Sequence, residues 1–148
     1  AGMVSGVMLP AMGNARKAAK RTRSMADVRN LINSLNLYAA DHDGDMPDSL
    51  DVLVAQHYIS NDQLFDLRNG QEWVYRNPGR IHDLKQPSST PLIHESRASD
   101  GSMIVGFCDG HVRLVTDPSE FPQVPIWIRR TSRRRSSPTE RVPFPHGA

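Results

Sequence analysis

The residue types able to do chemistry gather in one short stretch of the chain. His94 and Glu95 come first, followed by Cys108, Asp109 and His111. A turn at Asp109-Gly110 would set Cys108 and His111 across from each other on neighbouring strands, the one Cys/His pairing this sequence offers for a thiol nucleophile and its base. That pair has no evident third residue to orient His111 and no loop to hold an oxyanion. A shared metal ion would need His94 and His111 on one face, and the register that follows from the turns puts them on opposite faces. The second acidic run, Asp41, Asp43 and Asp45, has the spacing that opens a calcium loop. Its glycine, Gly44, precedes the third carboxylate instead of following it, and Val52 stands where the closing glutamate is needed, so the run reads as a helix end and turn. P-loop, GxGxxG and HExxH patterns are absent from the sequence. One cysteine excludes an internal disulfide framework and a Cys-rich zinc module. The sequence therefore points away from an enzyme, and no catalytic, cofactor-binding or metal-binding residue is assigned.

Those residues lie on three short β-type runs, Leu92–Arg97, Met103–Cys108 and His111–Val115, separated by Asp100-Gly101 and Asp109-Gly110. Asp-Gly between apolar runs signals a two-residue hairpin turn, because both central residues adopt positive φ. Two-residue loops pair Ser99 with Ser102 and Cys108 with His111. Phe107 then lies between His94 and Val112, and Val105 between Ser96 and Leu114. Met103, Val105, Phe107, Val112 and Leu114 would share the face that covers a helix. Glu95, Gly106 and Arg113 would form a row on the other face, with a Glu95–Arg113 contact across the glycine.

The helix to be covered is the first forty or so residues. Met25, Val28, Ile32, Leu35 and Ala39 recur at intervals of three and four, widened by Leu31 and Tyr38, which makes an amphipathic spine. Upstream, Gly2–Met12 is apolar on every side apart from Ser5, a pattern suited to lipid or to a helical bundle. It falls short of the roughly 20 residues of a spanning helix, and is read as the end of a longer apolar segment. Pro10 lies inside the pattern, where a kink is expected. Arg16, Lys17, Lys20, Arg21 and Arg23 follow as a basic collar suited to lipid headgroups, which the positive-inside tendency would place on the cytoplasmic side.

Between helix and hairpins the sequence predicts a short helix over 48–54 capped by Asp48 or Ser49, loop anchors at Tyr58–Ser60 and Leu64–Phe65, a first strand at Glu72–Arg76, and an irregular connection over 80–91. Past Asp117 prolines recur, and Phe121, Ile126, Trp127 and Ile128 are expected to lay one last segment on the sheet. The net charge of +2 hides a split: Arg129–Arg141 holds a local +5, leaving about −3 for the rest. That Arg/Ser tail reads as solvated and disordered. The alternative function is an anionic-surface or nucleic-acid binder acting through it, although the body of the protein gives nucleic acid no support.

The parts together resemble a family. Leu9-Pro10-Ala11-Met12-Gly13-Asn14-Ala15-Arg16 and Met25-Ala26-Asp27-Val28-Arg29-Asn30-Leu31 are similar to the N-terminal helix of type IV pilin-like, prepilin-type proteins and of the major pseudopilin of type II secretion. Tyr38 to Leu50 looks like their helix exit, and Tyr75-Arg76-Asn77-Pro78-Gly79 like a strand-and-turn motif of the major pseudopilins. Phe107-Cys108-Asp109-Gly110-His111-Val112 resembles the closing hairpin of a prepilin-processing-associated His…Asp-Gly domain. The family's His corresponds to position 99, which is Ser99 here, the nearest histidine being His94. The prepilin cleavage motif is not in the chain, and no calcium ligand set of the pseudopilins carries over.

The resemblance implies an α+β fold, a long helix on a small antiparallel meander. Residues 1–24 would be the end of a membrane and assembly helix with its collar, 25–128 the globular domain, and 129–148 the disordered tail. It implies a non-catalytic filament subunit anchored in the inner membrane, with its domain on the periplasmic side. The implied partners are copies of itself or related subunits through the N-terminal helix, and a prepilin peptidase.

Overall fold

The computed structural model describes residues 5–123, with side chains from residue 11 onward. The expected packing of Ile126, Trp127 and Ile128 and the basic tail over 129–148 lie outside the described residues. The fold is α+β. Helix α1 (Ser5–Asp41) runs without interruption through Pro10. It is followed by the short helix α2 (Leu50–Ala55) and the strands β1 (Val74–Tyr75), β2 (Pro91–His94), β3 (Met103–Phe107) and β4 (Val112–Val115). The strands form one sheet in the order β1-β2-β3-β4, every neighbouring pair antiparallel.

The spine read from the sequence is the core of the molecule. Val28, Leu31, Ile32, Leu35 and Ala39 are buried on α1 and cluster with Leu53 of α2 and with Leu92, Ile93 and Ile104 of the sheet. Removing side chains of this size from water contributes roughly 1.5–3 kcal/mol each, so this one seam dominates the stability of the body. Burial on the helix starts abruptly. Every residue from Ala11 to Arg23 is exposed, whereas Ser24 is fully buried.

At its other end α1 closes with Gly44 N–H donating to Ala39 O (2.7 Å), and the connection that follows is clasped by Met46 N–H to Gly79 O (3.3 Å) and Ile81 N–H to Gly44 O (3.2 Å). Ser49 precedes α2 in extended conformation but makes no side-chain cap. Ile59 and Leu64 are buried anchors, Leu64 ending a 3₁₀ turn over Asn61–Leu64, while Phe65 turns outward. The first strand is shorter than expected, and the 80–91 connection contains a 3₁₀ turn at Ile81–Asp83.

The hairpins correct the expected register. The β2–β3 turn is as read: Ser99 pairs with Ser102, and Asp100 (φ 51°) and Gly101 (φ 72°) occupy the positive-φ positions. Two further residues are then taken up on the β2 side, so that His94, not Ser96, lies opposite Val105. The β3–β4 loop has three residues, Cys108-Asp109-Gly110. Gly110 N–H donates to Phe107 O and Phe107 N–H to His111 O, both at 2.9 Å, with Gly110 at φ +96° as the bulge residue.

One extra loop residue reverses the faces of β4 relative to β3. Val105 therefore pairs with Arg113, and Gly106 with Val112. The helix is covered by Ile104 and Gly106 with Val112 and Leu114, not by Met103, Val105 and Phe107 as expected. Those three pack on the outer face with Val115 and Phe121. Close approach explains the choice. A Cβ at position 106 would come within 2.6 Å of Val28 Cγ1 and 2.7 Å of Ile32 Cδ1, so the helix lies directly on the glycine.

Candidate functional site

The residues singled out for chemistry do not converge on one site, and each is occupied locally. The Cys108 thiol is buried, and burial first, then the Asp109 charge, pushes it up to about 11, away from the thiolate a nucleophile needs. His111 stacks on Phe107 with ring centroids 4.3 Å apart, and its Nδ1 is hydrogen-bonded to Asp109 Oδ1. His94 is fully buried, its Nδ1 against Glu95 O at 2.7 Å, while Arg76 Nε donates to its Nε2 at 3.2 Å. That pairing fixes the tautomer with the proton on Nδ1. Burial and then the Arg76 charge hold the ring down to about 4, the Glu95 carbonyl opposing them, so it is neutral at pH 7. Of the acidic run, Asp41 accepts from Tyr58 Oη at 2.6 Å and Asp45 pairs with Arg80 at 2.7 Å, which engages two of the three carboxylates separately. The expected Glu95–Arg113 contact does not form: Arg113 reaches Glu120 at 3.7 Å, and Glu95 pairs with Arg68 at 3.0 Å.

Glu95 leads instead to a buried polar cluster at the point where α1 leaves the body. Arg68 Nη1 donates to Glu95 Oε2 at 3.0 Å, and Arg68 Nη2 donates to Ser99 O at 2.6 Å and Ser102 Oγ at 3.0 Å. Ile104 N–H donates to the same Glu95 oxygen at 2.6 Å. Asp66 Oδ1 accepts from Ser24 Oγ at 2.6 Å and from Arg68 N–H at 3.1 Å. The cluster ties α1, the 65–72 loop, β2 and the β2–β3 hairpin together. The side chains of Arg68 and Glu95 are only 6% and 0% exposed, so the site is dry.

Charge accounting in this dry site decides its protonation. Asp66 and Glu95 are within hydrogen-bonding reach of each other, and Asp66 Oδ2 and Glu95 Oε1 have no donor among the described residues. Two adjacent carboxylates with one guanidinium would leave a buried, uncompensated negative charge. A single proton held between them satisfies both orphan oxygens and leaves one negative charge for Arg68. Glu95 is the group that carries it. Burial first, then the hydrogen bond with Asp66, pushes its carboxyl up to about 8, against the lowering effects of Ile104 N–H and Arg68.

Above this cluster, the Asn14–Arg21 turns of α1 pass over the hairpin tip and leave a cleft of about 260 Å³. Lys17, Arg21 and Arg68 line it, with Asp100 and Ser102 opposite. Sequence reading missed the whole assembly. Ser24, Asp66, Arg68 and Glu95 are dispersed along the chain, and each taken alone looks like a surface residue. The one local signal is the polar–apolar alternation Phe65-Asp66-Leu67-Arg68, in which exposed Phe65 and Leu67 flank the inward acid.

Among the described residues no helix is long and apolar enough to cross a membrane, and no three His, Cys, Asp or Glu side chains are grouped to hold a metal ion. No protein family, characterised protein or solved structure matches the chain.

Proposed function

We propose that this protein is a structural, non-catalytic subunit of a type II secretion or type IV pilus-like envelope filament, held at the inner membrane before assembly with its αβ body on the extracytoplasmic side. The observation that carries this reading is the division of α1. From Ser24 onward the helix is built into the body, whereas Ala11 to Arg23 is helical and exposed at every residue, an arm that meets the body only at the open cleft beside the hairpin tip among the described residues. An isolated helix of that length is marginal in water, so the arm gains most when a second surface packs on it. The apolar composition of Gly2–Met12 and the collar that follows suit lipid before assembly and neighbouring helices after it. The family resemblance supplies the particular assembly, copies of this chain or of related subunits side by side through the arm.

Crosslinking tests it. Met12→Cys and Ala15→Cys variants of the whole chain, treated in cells with a short bismaleimide, are expected to give dimers and a ladder of higher multimers in the membrane fraction. Cys108 stays silent in this assay because it is buried and its thiol is pushed up to about 11. Monomer alone from both variants would sink the reading.

A further inference from the structure

The collar on α1 is not a uniform ring of charge. At 100° per residue, Asn14, Lys17, Ala18 and Arg21 continue the same helix face as the buried stripe Ser24, Val28, Ile32, Leu35 and Ala39. Arg16 and Arg23 lie on the far side, and Lys20 lies on the flank between the two faces. The body-facing side of the helix thus changes from apolar to cationic where it passes the β2–β3 hairpin tip, and there it forms one wall of the open cleft lined by Asn14, Lys17, Arg21, Arg68, Asp100 and Ser102.

We propose that this cleft is a binding site for a phosphate-class oxyanion, either a free phosphate ester or the phosphate of an anionic lipid headgroup. Arg21 has no hydrogen-bond or ion-pair partner among the described residues, although it lines the cleft. Lys17 is held only by an exposed 3.3 Å contact with Asp100, an interaction of little worth in water. Asp100 contacts Lys17 and not Arg21, whereas a tetrahedral anion seated in the cleft can take both cations at once. Behind them Arg68 is held in place by its bonds to Glu95, Ser99 and Ser102 and is already paired with the buried carboxylates, so it forms a fixed floor while Lys17 and Arg21 supply the free charge. Asn14 adds an amide donor at the rim. At about 260 Å³ the cleft takes a phosphate with a small substituent and is too small for a nucleic-acid duplex.

The site stands whether or not the chain assembles into a filament, and its test is separate from crosslinking. The full chain, isotope-labelled, is titrated at pH 7 and about 0.15 M salt, where the Debye length is about 8 Å, with inorganic phosphate and with glycerol 3-phosphate, following backbone amide shifts. In parallel it is sedimented with vesicles of phosphatidylglycerol and phosphatidylcholine against phosphatidylcholine alone. Saturable binding is expected, with Asn14, Lys17, Arg21 and Ser102 shifting together. Arg21→Glu should weaken it about tenfold or more, as loss of a charge-assisted contact does. Asp100→Asn, which removes the competing carboxylate, should tighten it by about threefold. Arg16→Glu has the same net charge as Arg21→Glu but faces away, and should stay within about twofold of wild type. Both positions are exposed, and Arg16→Gln with Arg21→Gln repeats the comparison if a reversal unfolds the arm. Binding of the soluble esters identifies a free phosphate as the ligand. Binding only to phosphatidylglycerol vesicles, lost in Arg21→Glu, identifies a lipid headgroup. Equal weakening by the Arg16 and Arg21 variants, or no binding of any probe, overturns the site.

Discussion

Glu95 and His94 are consecutive in sequence and fully buried, yet they place opposite demands on pH. Glu95 has its carboxyl pushed up from 4.5 to about 8, so between those values the folded protein holds a proton that the unfolded chain has released. Its stabilising contribution is complete below the ordinary carboxylate range and is lost as pH rises toward about 8. His94 is held down from 6.5 to about 4, and its contribution is complete above 6.5 and lost as pH falls toward about 4. Where the two windows overlap the slopes offset, and above 6.5 only the Glu95 slope remains. Unfolding by denaturant across a pH series should therefore show wild-type stability falling between pH 6.5 and 8.5 by an amount on the order of 1–2 kcal/mol. In Glu95→Gln the amide oxygen still accepts from Arg68 and Ile104 and the NH₂ donates to Asp66 without titrating, so that fall should disappear. Parallel curves for the two proteins would show that Glu95 does not hold the proton.

At the scale of elements, the seam between α1 and β3 is decided by Gly106. Valine there would drive its side chain into Val28 and Ile32, which a Cβ alone already approaches to 2.6 and 2.7 Å. Gly106→Val should lower the unfolding free energy by about 2–3 kcal/mol, the usual cost of overpacking a closed interface. Val105→Ile, which adds one methylene on the outer face beside the half-buried Phe121, should cost about 1 kcal/mol, the low end for an added methylene. Chemical denaturation of both variants measures the difference, and equal costs would mean that the helix does not lie on the glycine. The elements were legible where one local pattern dominates. The stripe Val28, Leu31, Ile32, Leu35 and Ala39 needed only its 3.6-residue period, and the Asp100-Gly101 turn only its positive-φ pair. The other turn shows the limit. Asp109-Gly110 has the same dipeptide, but Cys108 joins the loop and His111 pairs with Phe107, and that single residue inverts which apolar side chains meet the helix.

At the scale of the whole molecule, the described residues form an αβ body with a helical arm, joined at Ser24. Below that point the helix is held by packing and by the Ser24–Asp66 hydrogen bond, while above it the Lys17–Asp100 contact is exposed on both sides. Local opening follows that contrast, because segments with few buried contacts open at low free-energy cost. Limited trypsinolysis followed by mass mapping should place the first cuts, among the described residues, at Arg16, Lys17, Lys20 and Arg21. Arg29 lies on the anchored part of the same helix and should be cut later. First cuts at Arg29 would mean that the arm and the spine open as one unit.

The sequence by itself determined the α+β class, the spine of the long helix, the run of short antiparallel strands and the split between an acidic body and a basic tail. Each of these is carried by residues near one another in the chain, through periodicity, turn chemistry or charge. Only the tertiary structure decided which sheet face meets the helix, why position 106 is glycine, and that Asp66, Arg68, Glu95 and Ser24 form one buried cluster. Those outcomes depend on distances between segments far apart in sequence. They depend also on a low dielectric that exists only after the chain has closed around them, and that makes one shared proton cheaper than a second buried charge.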